Sequence, residues 1–311
     1  MAVKCVTVPS ARRRIRYRTQ GNGCVRCPMS RAAQAYSLHQ RCPMTPSRPN
    51  VVIATPCYGG LMTHVYVNSL LKLMGSKEKQ GFGLGLFAAA HDSLITRSRN
   101  ALVKSFLDAT AATHLLFIDA DIGFEPSAVL RLLQFDVEVA AGMYPLKVVD
   151  WARIRSTVGP GTTEETLRES GLHFVGVPCT DNEREERGGF VTGQYAGTGF
   201  MMIQRSAIER MVAAYPETAY RAMHTYPVQI SQGAPYYNLF DCMIHPENGA
   251  YLSEDFAFCH RFRKLGGKVW LDTTSRLTHV GSMEFAGNAA AEMTKYGVAL
   301  SLDDHEVAAA E

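Results

Sequence analysis

Short apolar runs alternate along the chain with stretches that are apolar on one helical face only. Asn50-Val51-Val52-Ile53-Ala54-Thr55-Pro56 reads as a short buried strand ended by proline. A Gly59-Gly60 turn leads into a helical stretch over 62–75, and a second apolar run, 82–90, reaches His91-Asp92-Ser93. Asp92 is placed there to cap a helix over 93–108. In that helix Arg97, Asn100, Lys104 and Asp108 form a polar stripe opposite Ile95, Leu102 and Phe106. Leu115-Leu116-Phe117-Ile118 is an unbroken apolar run, as in central parallel strands covered on both faces, and it ends in Asp119-Ala120-Asp121.

Pro126 sits where a helix can start, residues 129–133 supply its apolar face, and 137–141 read as another strand. Strands alternating with helices predict right-handed βαβ units and a parallel sheet. The pattern lapses over 150–194, which contains Gly159-Pro160-Gly161 and a charged run at 181–187, and reads as a long functional loop. A strand is predicted at 199–203, followed by a helix in which Ser206 and Glu209 have capping-box spacing. Residues 215–250, rich in Tyr, Pro and Asn without a period, read as loop able to line a pocket. Ser253 is placed to cap a helix reaching Leu265, stopped by Gly266-Gly267, and 268–271 form a last strand before Asp272.

A chain of 311 residues, 46% apolar and 20% charged, has enough apolar residues for one large core, so a single α/β domain fits best. The net charge of +3 conceals a division: residues 1–49 hold ten of the 32 Lys/Arg and none of the 29 Asp/Glu. The remainder is acidic, which argues against nucleic acid as the main partner. The predicted organisation is a basic, disordered segment 1–48, a domain over 49–297 and a frayed tail over 298–311. Arg12, Arg13, Arg14, Arg16 and Arg18 form a cationic run suited to peripheral contact with an anionic membrane surface. No apolar run reaches the ~18–20 residues of a membrane span, and the N-terminus lacks a secretory apolar core, so a cytoplasmic protein is expected. Eight cysteines in a chain of this length read as reduced thiols, and Cys24-Val25-Arg26-Cys27 lacks a second ligand pair to complete a zinc site.

Asp119 and Asp121 follow the most hydrophobic strand, at the sheet edge where ligands of open α/β folds collect. Two carboxylates there need positive charge, which Mg²⁺ or Mn²⁺ bridging to diphosphate oxygens supplies. D-x-D triplets also occur as plain turn caps. Ser253-Glu254-Asp255 opens a helix, where acidic residues suit the dipole; Asp255 there can equally accept a proton from a hydroxyl. His279, in Leu277-Thr278-His279-Val280-Gly281, reads alone as a packed histidine or a ligand.

Together the D-x-D, the Gly197-Thr198-Gly199-Phe200 strand entry, Ser253-Glu254-Asp255-Phe256, Val269-Trp270-Leu271-Asp272 and His279 resemble GT-A glycosyltransferases, closest to family 2-like enzymes, over about residues 50–285. The resemblance implies a Rossmann-like, mostly parallel sheet flanked by helices. It also implies transfer from a nucleoside-diphosphate sugar, with a divalent metal, to a glycan, lipid-linked or other hydroxyl acceptor. On this pattern Asp119 and Asp121 address donor and metal, His279 completes the metal shell, and Asp255 is the base, with Glu254 beside it. Thr55 and Pro56 fall at the nucleotide, Asp92 at the base or ribose unless it only caps its helix, and Arg99 beside the D-x-D or diphosphate. Arg97, Arg99 and Asn100 are also similar to an R-x-R-N segment of retaining mannosyltransferases. A retaining enzyme, and a non-catalytic binding protein of the same fold, therefore stand as alternatives to an inverting transferase.

Overall fold

The structure is a computed structural model that describes residues 4–6, 48–76, 81–225, 228–230 and 232–283. The predicted strands become β2 (Asn50–Cys57), β3 (Gly83–Ala90), β4 (His114–Ile118), β5 (Val139–Gly142), β9 (Phe200–Gln204) and β10 (Val269–Asp272). The short strands β1 (Lys4–Val6), β6 (Val177–Pro178) and β7 (Glu186–Arg187), with β8 (Phe190–Tyr195), complete the main sheet. Its order is β1-β3-β2-β4-β9-β5-β10-β8-β7, with β6 pairing to β8.

Strands β3, β2 and β4 are mutually parallel, as are β5 and β10. Strand β9 lies antiparallel between β4 and β5, so β3, β2, β4, β5 and β10 all point the same way. The chain is thus a mixed α/β domain built on a mostly parallel sheet, the class expected. The direction of β9 corrects the simple parallel alternation. An apolar run buried on both faces has the same pattern read either way, so periodicity carries no strand direction.

Alternate strand residues face opposite sides, and each side is covered by helices. Val52, Ala54, Leu115 and Phe117 join a core under α2 (Ile95–Asp108), α6 (Arg205–Ala214) and α7 (Glu254–Lys264). Val51, Ile53, Leu116 and Ile118 join another under α1 (His64–Gly75) and α3 (Pro126–Phe135).

Several local expectations need correction. Helix α2 starts at Ile95 rather than 93, because Asp92 accepts the Leu94 N–H at 3.0 Å and turns the chain before the helix begins. The predicted polar stripe of α2 is broken at Asn100, which is buried, as is the adjacent Arg99. The Ser206–Glu209 capping box does not form, because α6 already begins at Arg205, with Gln204 as its uncapped N-cap. The stretch 150–194 is largely structured: α4 (Trp151–Thr157) and α5 (Glu164–Ser170) precede β8, which pairs with β10. Residues 215–250 contain short antiparallel pairs, among them Ala219–Tyr220 with Tyr236–Tyr237.

Within the basic N-terminal segment, β1 pairs antiparallel with β3; the arginine run and the Cys24/Cys27 pair lie outside the described residues. Met1–Val280 form one compact unit and Gly281–Glu311 a second, of which only 281–283 are described. Among the described residues no helix is long and apolar enough to cross a membrane.

Candidate active site

The parallel strands β2, β3 and β4 end along one edge, and their following loops bring Pro56, Asp92, Asp119 and Asp121 around a cleft of about 530 Å³ that Tyr58 and Thr63 also line. The D-x-D loop is held there by backbone as well as side-chain bonds. Thr63, the N-cap of α1, donates to the Ala120 carbonyl from both its N–H (2.9 Å) and its Oγ1 (3.1 Å). The Asp119 N–H donates to Gly199 O at 3.0 Å, and the Val280 N–H to Asp121 O at 2.9 Å. Pairing of Thr278–His279 with Ile122–Gly123 then brings the distant histidine to the second aspartate.

Arg99 organises the first aspartate. Its guanidinium, 4% exposed, donates from Nη2 to Asp119 Oδ1 at 3.0 Å and from Nε to Glu254 Oε1 at 3.1 Å. One buried cation therefore ties the end of β4 to the first turn of α7, and its two carboxylates keep the guanidinium firmly protonated against the cost of burial. Its Nη1 is buried with no hydrogen-bond partner among the described residues.

The second aspartate has different company. Lys147 Nζ lies 2.5 Å from Asp121 Oδ2, and His279 Nε2 lies 3.6 Å from Asp121 Oδ1. The Nδ1 of His279 is 2.8 Å from the Pro145 carbonyl, which can only accept, so this nitrogen carries the proton. Nε2 is left to face the carboxylate, an arrangement that needs a proton or a cation between them. Burial raises the Asp121 carboxyl, but the neighbouring His279 and Lys147 outweigh it and bring it down to about 2.

Asp255 is perturbed the other way. Burial, and then the charge of Glu254, raise its carboxyl above the ordinary range against the lowering effect of the Ser253 hydroxyl, 2.5 Å from Oδ1, and of Arg99. The Phe256 N–H donates to the same oxygen at 2.8 Å. Ser253 makes no side-chain bond to the backbone of α7, so its predicted capping role is replaced by this contact with Asp255.

No protein-family model and no curated protein matches the sequence. Among solved structures, the chain is similar to A197 from STIV, at 14% identity and TM-score 0.40, over 75% of this chain and 86% of that one. It is similar to GalNAc-T7, crystallised with UDP, GalNAc and Mn²⁺, at 11% identity and TM-score 0.41, over 77% of this chain and 45% of that one. A third is a glycosyltransferase involved in the glycosylation of the major capsid of PBCV-1, at 10% identity and TM-score 0.27, over 54% and 67%. At such overlap the fold assignment stands on this chain's own strand order, and the site on its own distances.

The remaining predicted positions divide. Pro56 lines the cleft, but the Thr55 hydroxyl is fully buried against Tyr66 OH at 2.5 Å and is turned away from it. Asp92 lines the cleft with both oxygens held by Arg97, at 2.6 and 2.8 Å; the Arg97 hydrogen bonds lower its carboxyl most. Asn100 pins residues 238–240, donating from Nδ2 to Asn238 Oδ1 and the Phe240 carbonyl and accepting the Phe240 N–H at Oδ1. Of the R-x-R-N segment only Arg99 reaches the D-x-D. Gly197 and Gly199 are required by Tyr144: a Cβ on either would fall 2.3 and 2.6 Å from its ring atoms and hydroxyl. The Tyr144 hydroxyl in turn accepts the Gly199 N–H at 3.2 Å, and its ring packs edge-on against His279.

The sequence offers Lys147, after Tyr144-Pro145, as a side chain that could face phosphate, although a lysine so placed is most often just exposed. Among the described residues no cluster of three or more His, Cys, Asp or Glu side chains gathers as a ready metal cage. Asp121 Oδ1 and His279 Nε2 stand 3.6 Å apart, a hard oxygen and an imidazole nitrogen of the kinds divalent cations accept.

Proposed function

We propose that this chain is a metal-dependent glycosyltransferase that moves a sugar from a nucleoside-diphosphate donor to an acceptor hydroxyl with inversion. The observation that carries this reading is the facing pair Asp121 and His279, whose Nε2 lies 3.6 Å from the carboxylate and, among the described residues, meets it without a shared hydrogen unless a cation or proton stands between them. A bound divalent ion would neutralise charge on the departing diphosphate. Asp121 and His279 would hold it, with Asp119 kept in place beside them by Arg99.

Asp255 acts as general base. A carboxylate whose proton affinity is raised by burial and by Glu254 is a better acceptor for a hydroxyl proton than an ordinary surface aspartate. As it takes that proton, the acceptor oxygen bonds to the anomeric carbon, and the bond to the diphosphate breaks with its electron pair leaving on phosphate oxygen. Glu254, engaged by Arg99, orients the start of α7 rather than the acceptor. This reading assigns catalysis to the domain 49–297 and leaves the basic segment 1–48 outside it.

The test is a panel of nucleotide sugars with Mn²⁺, measuring released UDP or GDP and the anomeric configuration of the product. EDTA is expected to abolish turnover, and Mn²⁺ or Mg²⁺ to restore it. Full turnover without metal, or a product retaining the donor configuration, would overturn the metal role or the single displacement respectively.

A further inference from the structure

Among the described residues, Lys147 is the accessible cation bonded to the D-x-D. Arg99 is 4% exposed and fixed between Asp119 and Glu254, whereas the Lys147 side chain is 39% exposed and, among the described residues, bonded to Asp121 alone. Lys147 lies on the strand Pro145–Val149, whose first residue supplies the carbonyl that orients His279, so the lysine and the histidine reach Asp121 from one short segment. The carboxylates of Asp119, Asp121, Glu254 and Asp255 outnumber the two permanent cations present, Arg99 and Lys147. A diphosphate would add further negative charge at that place.

Resting on the donor assignment above, we infer that Lys147 is the diphosphate-binding side chain of the site: it holds Asp121 in the absence of donor and transfers to phosphate oxygens when donor and divalent ion arrive. Lysine is suited to that exchange. Its ammonium is a compact charge with three rotatable donors on a flexible stem, whereas a guanidinium gives up a fixed planar fork less readily. The two partners compete for it. Lys147 on Asp121 opposes metal binding, and Lys147 on phosphate favours nucleotide binding.

That competition separates this role from a merely structural one. Lys147→Met keeps the stem and removes the charge, and is to be compared with wild type by calorimetry of UDP and GDP in Mn²⁺, of uridine and guanosine, and of Mn²⁺ alone. Losing one charge-assisted contact should weaken nucleoside diphosphate by about ten- to a hundredfold, with nucleoside affinity and melting temperature nearly unchanged. Affinity for Mn²⁺ without nucleotide should hold or rise. Lys147→Arg should recover only part of the diphosphate affinity. Unchanged diphosphate affinity in Lys147→Met would overturn the inference alone. So would parallel losses for Mn²⁺ and diphosphate, which would show that the lysine only props Asp121. If wild type binds neither UDP nor GDP with Mn²⁺, the donor assignment falls, and this inference with it.

Discussion

Asp121, after β4, and Asp255, in the first turn of α7, both serve the carboxyl edge of the sheet, yet their surroundings push them apart. Both are partly buried, which raises a carboxyl. Asp121 then gains Lys147 and His279 and falls to about 2, whereas Asp255 gains the negative Glu254 and stays raised. Opposed shifts in two carboxylates are the pattern by which roles separate, one favouring its ionised form and the other favouring a proton. Arg99 joins the two regions, touching Asp119 on one side and Glu254 on the other.

The largest effect that tests this contrast is on turnover. Asp255→Asn should reduce it by ~10²–10⁴-fold with donor affinity nearly unchanged, because only the proton acceptor is lost. Stability should move the opposite way. A carboxyl raised in the fold contributes most below its unfolded value, and that contribution is lost as pH rises through the folded value, so at neutral pH ionised Asp255 costs stability. Asp255→Asn should therefore melt no lower than wild type near pH 7. Asp121, lowered to about 2, contributes stability above the ordinary carboxylate value that is lost as pH falls toward 2, so Asp121→Asn should melt lower and also lose metal-dependent donor binding. Near-normal turnover of Asp255→Asn, or its unfolding, would remove the catalytic role.

Next in size is the link between the regions. Arg99→Met leaves Asp119 and Glu254 without their buried partner, and breaking such a pair costs ~3–5 kcal/mol, read by urea denaturation. Adding Glu254→Gln should recover part of the loss, because the strain is uncompensated charge rather than missing volume. If the double variant is no more stable than Arg99→Met, the guanidinium holds the fold by packing, for instance on Phe117, whose ring centroid is 5.4 Å away.

What was legible in the sequence follows the physics of each region. Strands β2 and β4 are buried on both faces, so an apolar run marked them, and Asp119 and Asp121 stood out as the charges that ended one. Helices α4 and α5 bury no residue, so no apolar period exists to reveal them, and 150–194 read as loop. Arg99 came to the D-x-D only through the resemblance, because burial against two carboxylates 20 and 155 positions away leaves no local trace. Lys147 could be named as able to face phosphate, but its carboxylate partner, 26 positions away, left no mark in the local sequence. Thr55 shows the converse limit. The resemblance placed it at the nucleotide, but strand alternation sends its side chain into the core against Tyr66.

The smallest predicted effect concerns the two helix starts that frame the site. Thr63 caps α1: its Oγ1 accepts the Tyr66 N–H at 3.3 Å while donating to Ala120 O, so one hydroxyl secures both helix and D-x-D loop. Ser253 occupies the same position on α7 but gives its hydroxyl to Asp255. Thr63→Ala should therefore cost ~1 kcal/mol of stability, the usual worth of a lost cap, with Thr63→Ser largely restoring it. Ser253→Ala removes no cap and should leave stability closer to wild type. Its effect belongs in the pH profile instead. The Ser253 bond lowers the Asp255 carboxyl, so removing it raises that carboxyl further, and the base is then deprotonated only at higher pH. The acid limb of the rate profile should move upward in Ser253→Ala and stay in place in Thr63→Ala. A Ser253→Ala enzyme that loses as much stability as Thr63→Ala with an unmoved acid limb would make the serine an ordinary cap, and would take from Asp255 one of the contacts that set it apart from Asp121.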